Sequence, residues 1–151
     1  MVWGCMGWNG VGILIEVQEN MDVGQYCEIL EEGVIESFEK LEMEEGVQYF
    51  QQNNDTKNTS KLAKKWMEDH DLEVIWWPAQ SPDLNPIEHL WFYIKRKLQE
   101  YKVPPKGAHE LWRRLVKEWN EIPAEVCQKL IESMPRRIDA VIKAKGGYTK
   151  Y

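Results

Sequence analysis

The sequence predicts a mixed α/β fold that ends in a run of helices. Two β-branched-rich runs frame an Asn-Gly pair near the start, single short apolar runs then alternate with segments of helical periodicity, and helical periodicity alone follows residue 102. A chain of 151 residues, 43% hydrophobic and 29% charged, is large enough to bury a core and has the balance of a soluble globular protein.

The first half of the chain is predicted to fold as a hairpin, a helix and a strand. Asn9-Gly10 separates the two β-branched-rich runs and is typical of a tight hairpin turn. Glu44-Glu45-Gly46 ends a pattern of apolar residues at helical spacing, and a short apolar run follows it. The predicted elements are the hairpin arms Val2–Met6 and Val11–Val17, a helix after Asn20-Met21-Asp22 with Tyr26, Leu30, Val34, Phe38 and Leu41 on its apolar face, and a strand over Val47–Gln52.

The second half of the chain is predicted to form one more helix and one more strand, and then only helices. Asn58-Thr59-Ser60 supplies capping residues for a helix, and Pro78 stops the strand that comes after it. The predicted elements are a helix to about His70, a strand over Leu72–Trp77, a helix from Pro86 to about Tyr101, and two or three helices around Leu115, Leu130 and Val141. We place residues 1–101 in an α/β domain and residues 102–151 in a helical extension of the same domain.

Composition excludes several classes of protein. Eight Trp predict a heavily aromatic core. The three Cys are odd in number and lack metal-ligand spacing, which favours a reducing compartment over a disulfide framework. No apolar run approaches the roughly 20 residues of a membrane span, and no signal peptide opens the chain. We therefore expect an intracellular protein, nuclear or cytoplasmic, with no membrane partner.

Charge is distributed unevenly along the chain. The net charge of −6 alone argues against a nucleic-acid partner, but residues 1–50 hold 11 acids and one base, whereas residues 51–151 hold 14 acids and 18 bases. The basic clusters of the second half either form solvated helix faces or contact phosphate groups, and the sequence leaves both interpretations open. The clusters are Lys57/Lys61/Lys64/Lys65, Lys95/Arg96/Lys97, Arg113/Arg114/Lys117 and Arg136/Arg137.

One stretch allows the chain to be compared with a known family. Residues 77–91 read WPAQSPDLNPIEHLW, a proline-rich motif that is highly specific. Together with VWGCMGWNGVG at 2–12, FQQNNDTKNTSK at 50–61 and KAKGGYTKY at 143–151, it resembles the mariner superfamily of DNA transposases. The resemblance covers nearly the whole chain, as the C-terminal part of the catalytic domain. It implies a ribonuclease H-like fold and an Asp-Asp-Glu triad that binds two divalent metal ions.

The resemblance assigns two positions of that triad to this chain. Glu88 matches the third acid, and counting back over 34 intervening residues reaches Asn53, where the family carries its second Asp. The first Asp would lie upstream of Met1, and Asn58 stands where the family usually has His. Two Mg²⁺ ions about 4 Å apart stabilise the charge that develops during attack on a phosphodiester, and carboxylates must hold them. An amide at position 53 contributes no charge to that task.

A missing first strand would divide the sheet, so we expect an incomplete ribonuclease H-like fold. In such folds, as the resemblance implies, the first strand lies between the hairpin and the strand that here ends at Gln52. The two remaining pieces would each have an unpaired inner edge, which invites pairing with another chain. Three outcomes are considered: direct closure of the gap, a homodimer through the exposed edge, or a partly molten domain.

Several of these residues have structural interpretations as well. Asn85 and Glu88 fit a capping box at the start of a helix, so capping explains Glu88 as well as catalysis does. Turns explain Asp55 and Asp83 better than replacement of the lost acid does. The three His fit helix surfaces or helix ends, and the pair Trp76-Trp77 fits core packing better than stacking on DNA.

We therefore expect a catalytically inactive part of a mariner-type transposase, a family that cuts transposon ends and joins them to target DNA. Glu88 and Asn53 are the candidate catalytic and metal-binding residues, and any binding of Mg²⁺ is expected to be weak. A retained DNA-binding or protein-interaction module is the alternative, and an active nuclease whose missing Asp comes from a partner chain is a third hypothesis. The candidate DNA contacts, weak and sequence-tolerant, are Lys57, Lys61, Lys95, Arg96 and Lys97.

Overall fold

The computed structural model describes residues 1–18, 21–43, 46, 48–147 and 149–150. Its strands are β1 (Val2–Gly7), β2 (Gly10–Glu16), β3 (Gln48–Phe50) and β4 (Leu72–Val74), and its α-helices are α1 (Val23–Ile29), α2 (Glu36–Lys40), α3 (Lys61–Asp69), α4 (Pro86–Gln99), α5 (Ala108–Asn120), α6 (Ala124–Glu132) and α7 (Met134–Lys143). A π-helical stretch, Leu30–Ile35, joins α1 to α2, and a 3-10 turn, Pro82–Leu84, precedes α4. The predicted order of elements and the mixed α/β class are therefore confirmed.

The N-terminal hairpin is antiparallel, as predicted, but its turn lies at Trp8-Asn9, one residue before the predicted Asn9-Gly10 pair, because Gly10 already pairs with Gly7 as the first residue of β2. Gly10 has a φ of 132°, a conformation that residues with a side chain rarely adopt, so the turn requires glycine there. Trp119 of α5 lies behind the hairpin, and its indole Nε1 donates a hydrogen bond to the Gly12 carbonyl oxygen at 2.9 Å. This hydrogen bond ties the C-terminal helices to β2.

The single helix predicted for residues after Asp22 is divided by the π-helical stretch. Asp22 caps α1, because its carboxylate accepts a hydrogen bond from the Gln25 backbone N–H at 2.8 Å. Gly33 lies against the Trp3 ring of β1, and a Cβ at position 33 would come within 2.3 Å of a ring carbon. This close approach requires a residue without a side chain. The predictions made for Asn20, Glu44, Glu45 and Val47 fall outside the described residues.

Strands β3 and β4 are parallel and are connected through α3. Ser60 caps α3 as predicted, since its Oγ accepts a hydrogen bond from the Ala63 backbone N–H at 3.1 Å. Both strands end earlier than predicted, β3 at Phe50 and β4 at Val74. Beyond them the two segments stay connected by a side chain, because Asn54 Nδ2 donates a hydrogen bond to the Trp77 carbonyl oxygen at 2.7 Å.

The described strands form two separate sheets, β1–β2 and β3–β4, with two strands each. The expectation of a divided sheet is confirmed for this part of the chain, and the arrangement does not close the gap directly. One edge of β1 and one edge of β3 consequently have no strand partner among the described residues.

Two buried clusters hold these elements together. The first joins the hairpin to α4, α5 and α6, and Trp119 at its centre stacks on Trp91 with ring centroids 5.1 Å apart. The second joins α1, the π-helical stretch, α3 and β4. Helix α4 belongs to the first cluster, whereas β3 packs against the second through Phe50. A site built from the ends of β3 and α4 therefore depends on the packing of both clusters.

The surface differs from the sequence prediction at one aromatic residue. Trp76, directly after β4, is 84% exposed, so the expectation that it packs in the core is wrong. The chain leaves the sheet before it reaches Pro78, and this turns the Trp76 ring toward solvent. The three Cys thiols are free, and burial raises the pKa of Cys127 to about 11. None of the described helices is long and apolar enough to cross a bilayer.

Candidate functional site at the ends of β3 and α4

Two segments of the chain meet at the candidate site. Gln51 Nε2 donates a hydrogen bond to Asn85 Oδ1 at 3.5 Å, which joins the residue after β3 to the residue before α4. Asn53 lies two residues beyond Gln51, Glu88 lies three residues beyond Asn85, and both Asn53 and Glu88 are exposed. The structure therefore places the two predicted site residues on segments that contact each other.

The amide oxygen of Asn53 already accepts two hydrogen bonds. Its Oδ1 lies 2.7 Å from Asn58 Nδ2 and 3.2 Å from the backbone nitrogen of Asp55. In this arrangement, an Asx turn, a side-chain oxygen closes a turn of the backbone. A cation at Asn53 would have to compete with both donors, and the neutral amide offers no charge in compensation.

Asn58 holds Asn53 from the buried side of the turn. Asn58 is 8% exposed, and Gln52 Nε2 donates a hydrogen bond to its carbonyl oxygen at 3.2 Å. Its own Oδ1 has no hydrogen-bond partner in the described part of the chain, a condition that typically costs about 1–3 kcal/mol. The position that carries His in the resembling family is thus occupied by a residue that orients Asn53.

Asp55 is the nearest carboxylate to Asn53 along the chain, and it is bound to Lys57. The Lys57 ammonium nitrogen lies 2.9 Å from Asp55 Oδ1, and the Lys57 backbone N–H donates to the same oxygen at 3.0 Å. These hydrogen bonds hold the pKa of Asp55 below its usual range. Asp55 is therefore accounted for by the turn that it closes.

Glu88 lies in the first turn of α4, after the N-cap residue Asn85 and Pro86. The capping box predicted here is wrong, because Asn85 Oδ1 accepts from Gln51 and makes no capping hydrogen bond. The Glu88 backbone N–H donates to the Asn85 carbonyl oxygen at 3.2 Å. No hydrogen bond or ion pair to the exposed Glu88 carboxylate comes from the described residues. The carboxylate is thus available to a ligand.

Helix α7 supports the turn that leads into α4. Arg137 Nη1 donates to the Asp83 carbonyl oxygen at 2.9 Å, and Arg137 Nε donates to Ser133 Oγ at 2.7 Å. Thr149 Oγ1 donates to the Asp83 carboxylate at 3.0 Å. Burial and the charge of Arg137 lower the pKa of His89, next to Glu88. Arg137 is a residue of the site region that the sequence prediction did not identify.

The five predicted DNA contacts divide into two groups. Lys57 pairs with Asp55, and Lys97 Nζ lies 3.3 Å from the Glu100 carboxylate. The other three are exposed and form no ion pair with a described residue: Lys61, Lys95 and Arg96. These three have their charges available for phosphate groups.

The donor atoms at this site do not fit a pair of divalent cations. Within the described ranges, no group of three or more His, Cys, Asp or Glu is arranged to hold a metal ion. Glu88 offers one free carboxylate, and the Asn53 oxygen is already hydrogen-bonded. Because Mg²⁺ prefers charged oxygen ligands in octahedral geometry, this donor set supports no two-metal step.

Comparison by sequence shows that the chain is similar to an endonuclease family and to transposases. Residues 52–112 match the family described as DDE superfamily endonuclease. The transposable element Tc1 transposase of Caenorhabditis elegans is 41% identical over 151 residues, which cover 100% of this chain and 54% of the relative. The chain thus spans about half the length of the curated relatives that it matches.

Comparison by structure also matches the chain to transposases. The Mos1 transposase catalytic domain with raltegravir and Mg has a TM-score of 0.87 at 18% identity, covering 99% of this chain and 76% of that one. A Mos1 paired-end complex with the left transposon end has a TM-score of 0.84 at 19% identity, covering 97% and 44%. At these identities the likeness shows the fold, and it confirms the ribonuclease H-like class. By sequence and by fold the chain is therefore similar to transposases of the Tc1 and mariner type, as its proline-rich motif indicates.

Proposed function

We propose that the chain is the C-terminal part of the catalytic region of a mariner-type transposase and that it does not cleave DNA by itself. One observation carries this proposal. An amide, Asn53, stands at the position that we align with the second acid of the triad, and its oxygen is occupied by hydrogen bonds from Asn58 and Asp55.

The chemistry explains why this change is severe. Cleavage of a phosphodiester develops negative charge on both the attacking and the leaving oxygen, and two cations stabilise both. With Glu88 as the free carboxylate, we expect at most one weakly held Mg²⁺, which would stabilise one oxygen of the two. Each ~1.4 kcal/mol of lost stabilisation lowers the rate about tenfold, and a metal ion contributes several kcal/mol.

Strand cleavage of an end-labelled DNA duplex in Mg²⁺ or Mn²⁺ tests the proposal. The unaltered chain and Glu88→Ala are both expected to leave the duplex intact. Cleavage by the unaltered chain that Glu88→Ala abolishes would overturn the proposal, since it would show that Glu88 works in a competent metal centre.

Restoring the second acid is expected to rescue little activity. In Asn53→Asp the new carboxylate would still accept hydrogen bonds from Asn58 and from the Asp55 backbone, so both donors would still compete with a cation. Gln80→Glu adds the same charge at an exposed position of the proline-rich loop and serves as the control. Cleavage that appears in Asn53→Asp and is absent in Gln80→Glu would mean that position 53 alone limits the site.

A non-catalytic DNA-binding module is the second candidate. It is favoured by three exposed cations in the basic half of the chain that form no ion pair with a described residue: Lys61, Lys95 and Arg96. The matching Mos1 structure holds a transposon end, and we extend a DNA partner to this chain as part of the proposal. Contacts to phosphate bind without sequence preference and weaken as salt is added. Duplex affinity that stays constant with added salt would contradict this candidate.

A further inference from the structure

Helix α4 carries one large apolar side chain on its solvent face. Phe92 is 63% exposed, whereas Leu90 and Ile94, which point into the first cluster, are 0% and 2% exposed. Single exposed apolar residues are common on protein surfaces, so exposure alone does not identify a site. The side chains next to Phe92 on the same helix face indicate what kind of ligand this surface could bind.

Four exposed polar residues share the helix face of Phe92. They lie three, four or seven positions from it, a spacing that brings side chains to one side of an α-helix. We call this set the α4 stripe: Glu88, Phe92, Lys95, Arg96 and Gln99. Lys95 and Arg96 pair with no acid in the described part of the chain. The ring of Phe92 therefore stands between a free carboxylate and two free cations.

The dimensions of the α4 stripe fit a short length of nucleic-acid strand. A rise of about 1.5 Å per residue places Phe92 about 6 Å from Glu88 along the helix axis, and Arg96 about 12 Å from it. One strand of a duplex carries a phosphate every ~3.4 Å of its axis, so the part of the α4 stripe from Glu88 to Arg96 spans roughly three or four nucleotides. Phosphates at Lys95 and Arg96 would bring a neighbouring nucleotide to the ring.

The chemistry of the α4 stripe favours nucleic acid over a protein partner. Protein interfaces bury contiguous apolar surface at their centre, whereas Phe92 is flanked by charged and polar side chains. Cations beside an exposed ring are typical of surfaces that bind single strands, where phosphates contact the cations and a base stacks on the ring. In an intact duplex both faces of each internal base are covered by its neighbours, so the ring requires an unpaired or terminal base.

We propose that the α4 stripe binds a DNA strand that contains an unpaired base, with Phe92 as the stacking platform and Lys95 and Arg96 as the phosphate contacts. This inference rests on the proposed DNA-binding function and deepens it by naming the class of substrate. That class is single-stranded or frayed DNA in preference to an intact duplex.

Fluorescence anisotropy with a labelled single-stranded oligonucleotide and the matching blunt duplex tests the inference on the full chain. The unaltered chain is expected to bind the single strand more tightly. Phe92→Ala is expected to weaken single-strand binding at least about fivefold, the lower end for loss of one stacked base. Duplex binding is expected to change by less than about twofold. Phe92→Tyr keeps a ring and should bind as the unaltered chain does.

Ile142→Ala is the matched control, because Ile142 is 67% exposed on another helix, α7, and its truncation should change neither affinity. Thermal unfolding of Phe92→Ala should match that of the unaltered chain, since an exposed ring contributes little to the core. A ratio of single-strand to duplex affinity that is unchanged in Phe92→Ala, or a Phe92→Tyr variant that binds as weakly as Phe92→Ala, would overturn the inference.

A double variant separates this inference from the function on which it rests. Lys95→Gln with Arg96→Gln is expected to weaken binding of both DNA forms, because both present phosphates. Binding that depends on the two cations and not on the ring would leave the proposed DNA contacts standing and overturn the role of Phe92. Absence of binding to either DNA by the unaltered chain would overturn both.

Discussion

Arg137 is 2% exposed although its side chain carries a full charge. Burying a cation is costly unless hydrogen bonds replace those from water, and here Asp83 and Ser133 accept them. In the sequence Arg137 is indistinguishable from its neighbour Arg136, since both belong to one basic cluster. The structure separates them: one is exposed, and the other fixes the turn that leads to Glu88.

The pair offers a prediction with a built-in control. Arg137→Met should lower the free energy of unfolding by about 1–3 kcal/mol, because it leaves the Asp83 carbonyl and Ser133 hydroxyl without their donor. Arg136→Met makes the same chemical change at an exposed position and should cost less than about 0.5 kcal/mol. Urea unfolding followed by circular dichroism measures both. Equal midpoints for the two variants would show that Arg137 adds no stability to the turn.

The roles of some individual residues could be predicted from the sequence, and the roles of others could not. Asp22 and Ser60 cap helices as their residue types indicate, because a short polar side chain before a helix has few other partners. Asn85 has the same propensity, yet its oxygen accepts from Gln51. That choice depends on β3 reaching the start of α4, a tertiary contact between residues distant in sequence that local patterns do not encode.

The elements show a similar division between local and tertiary control. The hairpin could be predicted because its turn chemistry is local. The π-helical stretch Leu30–Ile35 could not, because it accompanies the approach of Trp3 to Gly33 across two elements. Strand β4 was predicted in kind but overestimated in length, since the apolar residues 75–77 continue past the last ladder hydrogen bond, from the Ile75 N–H to the Phe50 carbonyl. Strand β3 was likewise predicted in kind, but it ends at Phe50, before the two glutamines that the prediction included.

Hydrogen exchange should distinguish the two sheets. Amides of β1 and β2 are expected to exchange slowly, because the hairpin is long and Trp119 packs behind it. Amides of residues 48–50 and 72–74 should exchange faster, because three-residue strands with an unpaired edge open at a lower free energy. Mass spectrometry of exchanged peptides gives both rates.

Protein concentration supplies the control for this experiment. If a second copy pairs with the edge of β3, which is the homodimer among the outcomes considered for a divided sheet, protection of residues 48–52 should rise with concentration. Protection there that equals the hairpin's at every concentration would contradict a divided sheet.

For the whole molecule, the distribution of charge bears on the proposed binding of DNA. The acid-rich residues 1–50 contain the hairpin, α1 and α2, and the basic excess lies in the segments from α3 to α7. A uniformly acidic protein would repel a polyanion at all contact points, whereas the proposed local contacts would bind phosphate despite a net charge of −6. The sequence predicts this division by simple counting, but which cations are unpaired depends on side-chain contacts such as Lys97 with Glu100.

The salt dependence of duplex binding separates local contacts from net charge. The logarithm of the binding constant falls with the logarithm of salt concentration by about 0.9 for each phosphate that is neutralised. Lys95→Gln with Arg96→Gln should therefore reduce the magnitude of the slope by about 2. Glu36→Gln with Glu39→Gln changes the net charge by the same magnitude in the opposite direction, at exposed positions of the acidic half, and should leave the slope unchanged if contacts at α4 govern binding. If the variant that carries Lys95→Gln and Arg96→Gln has the same slope as the unaltered chain, Lys95 and Arg96 contact no phosphate.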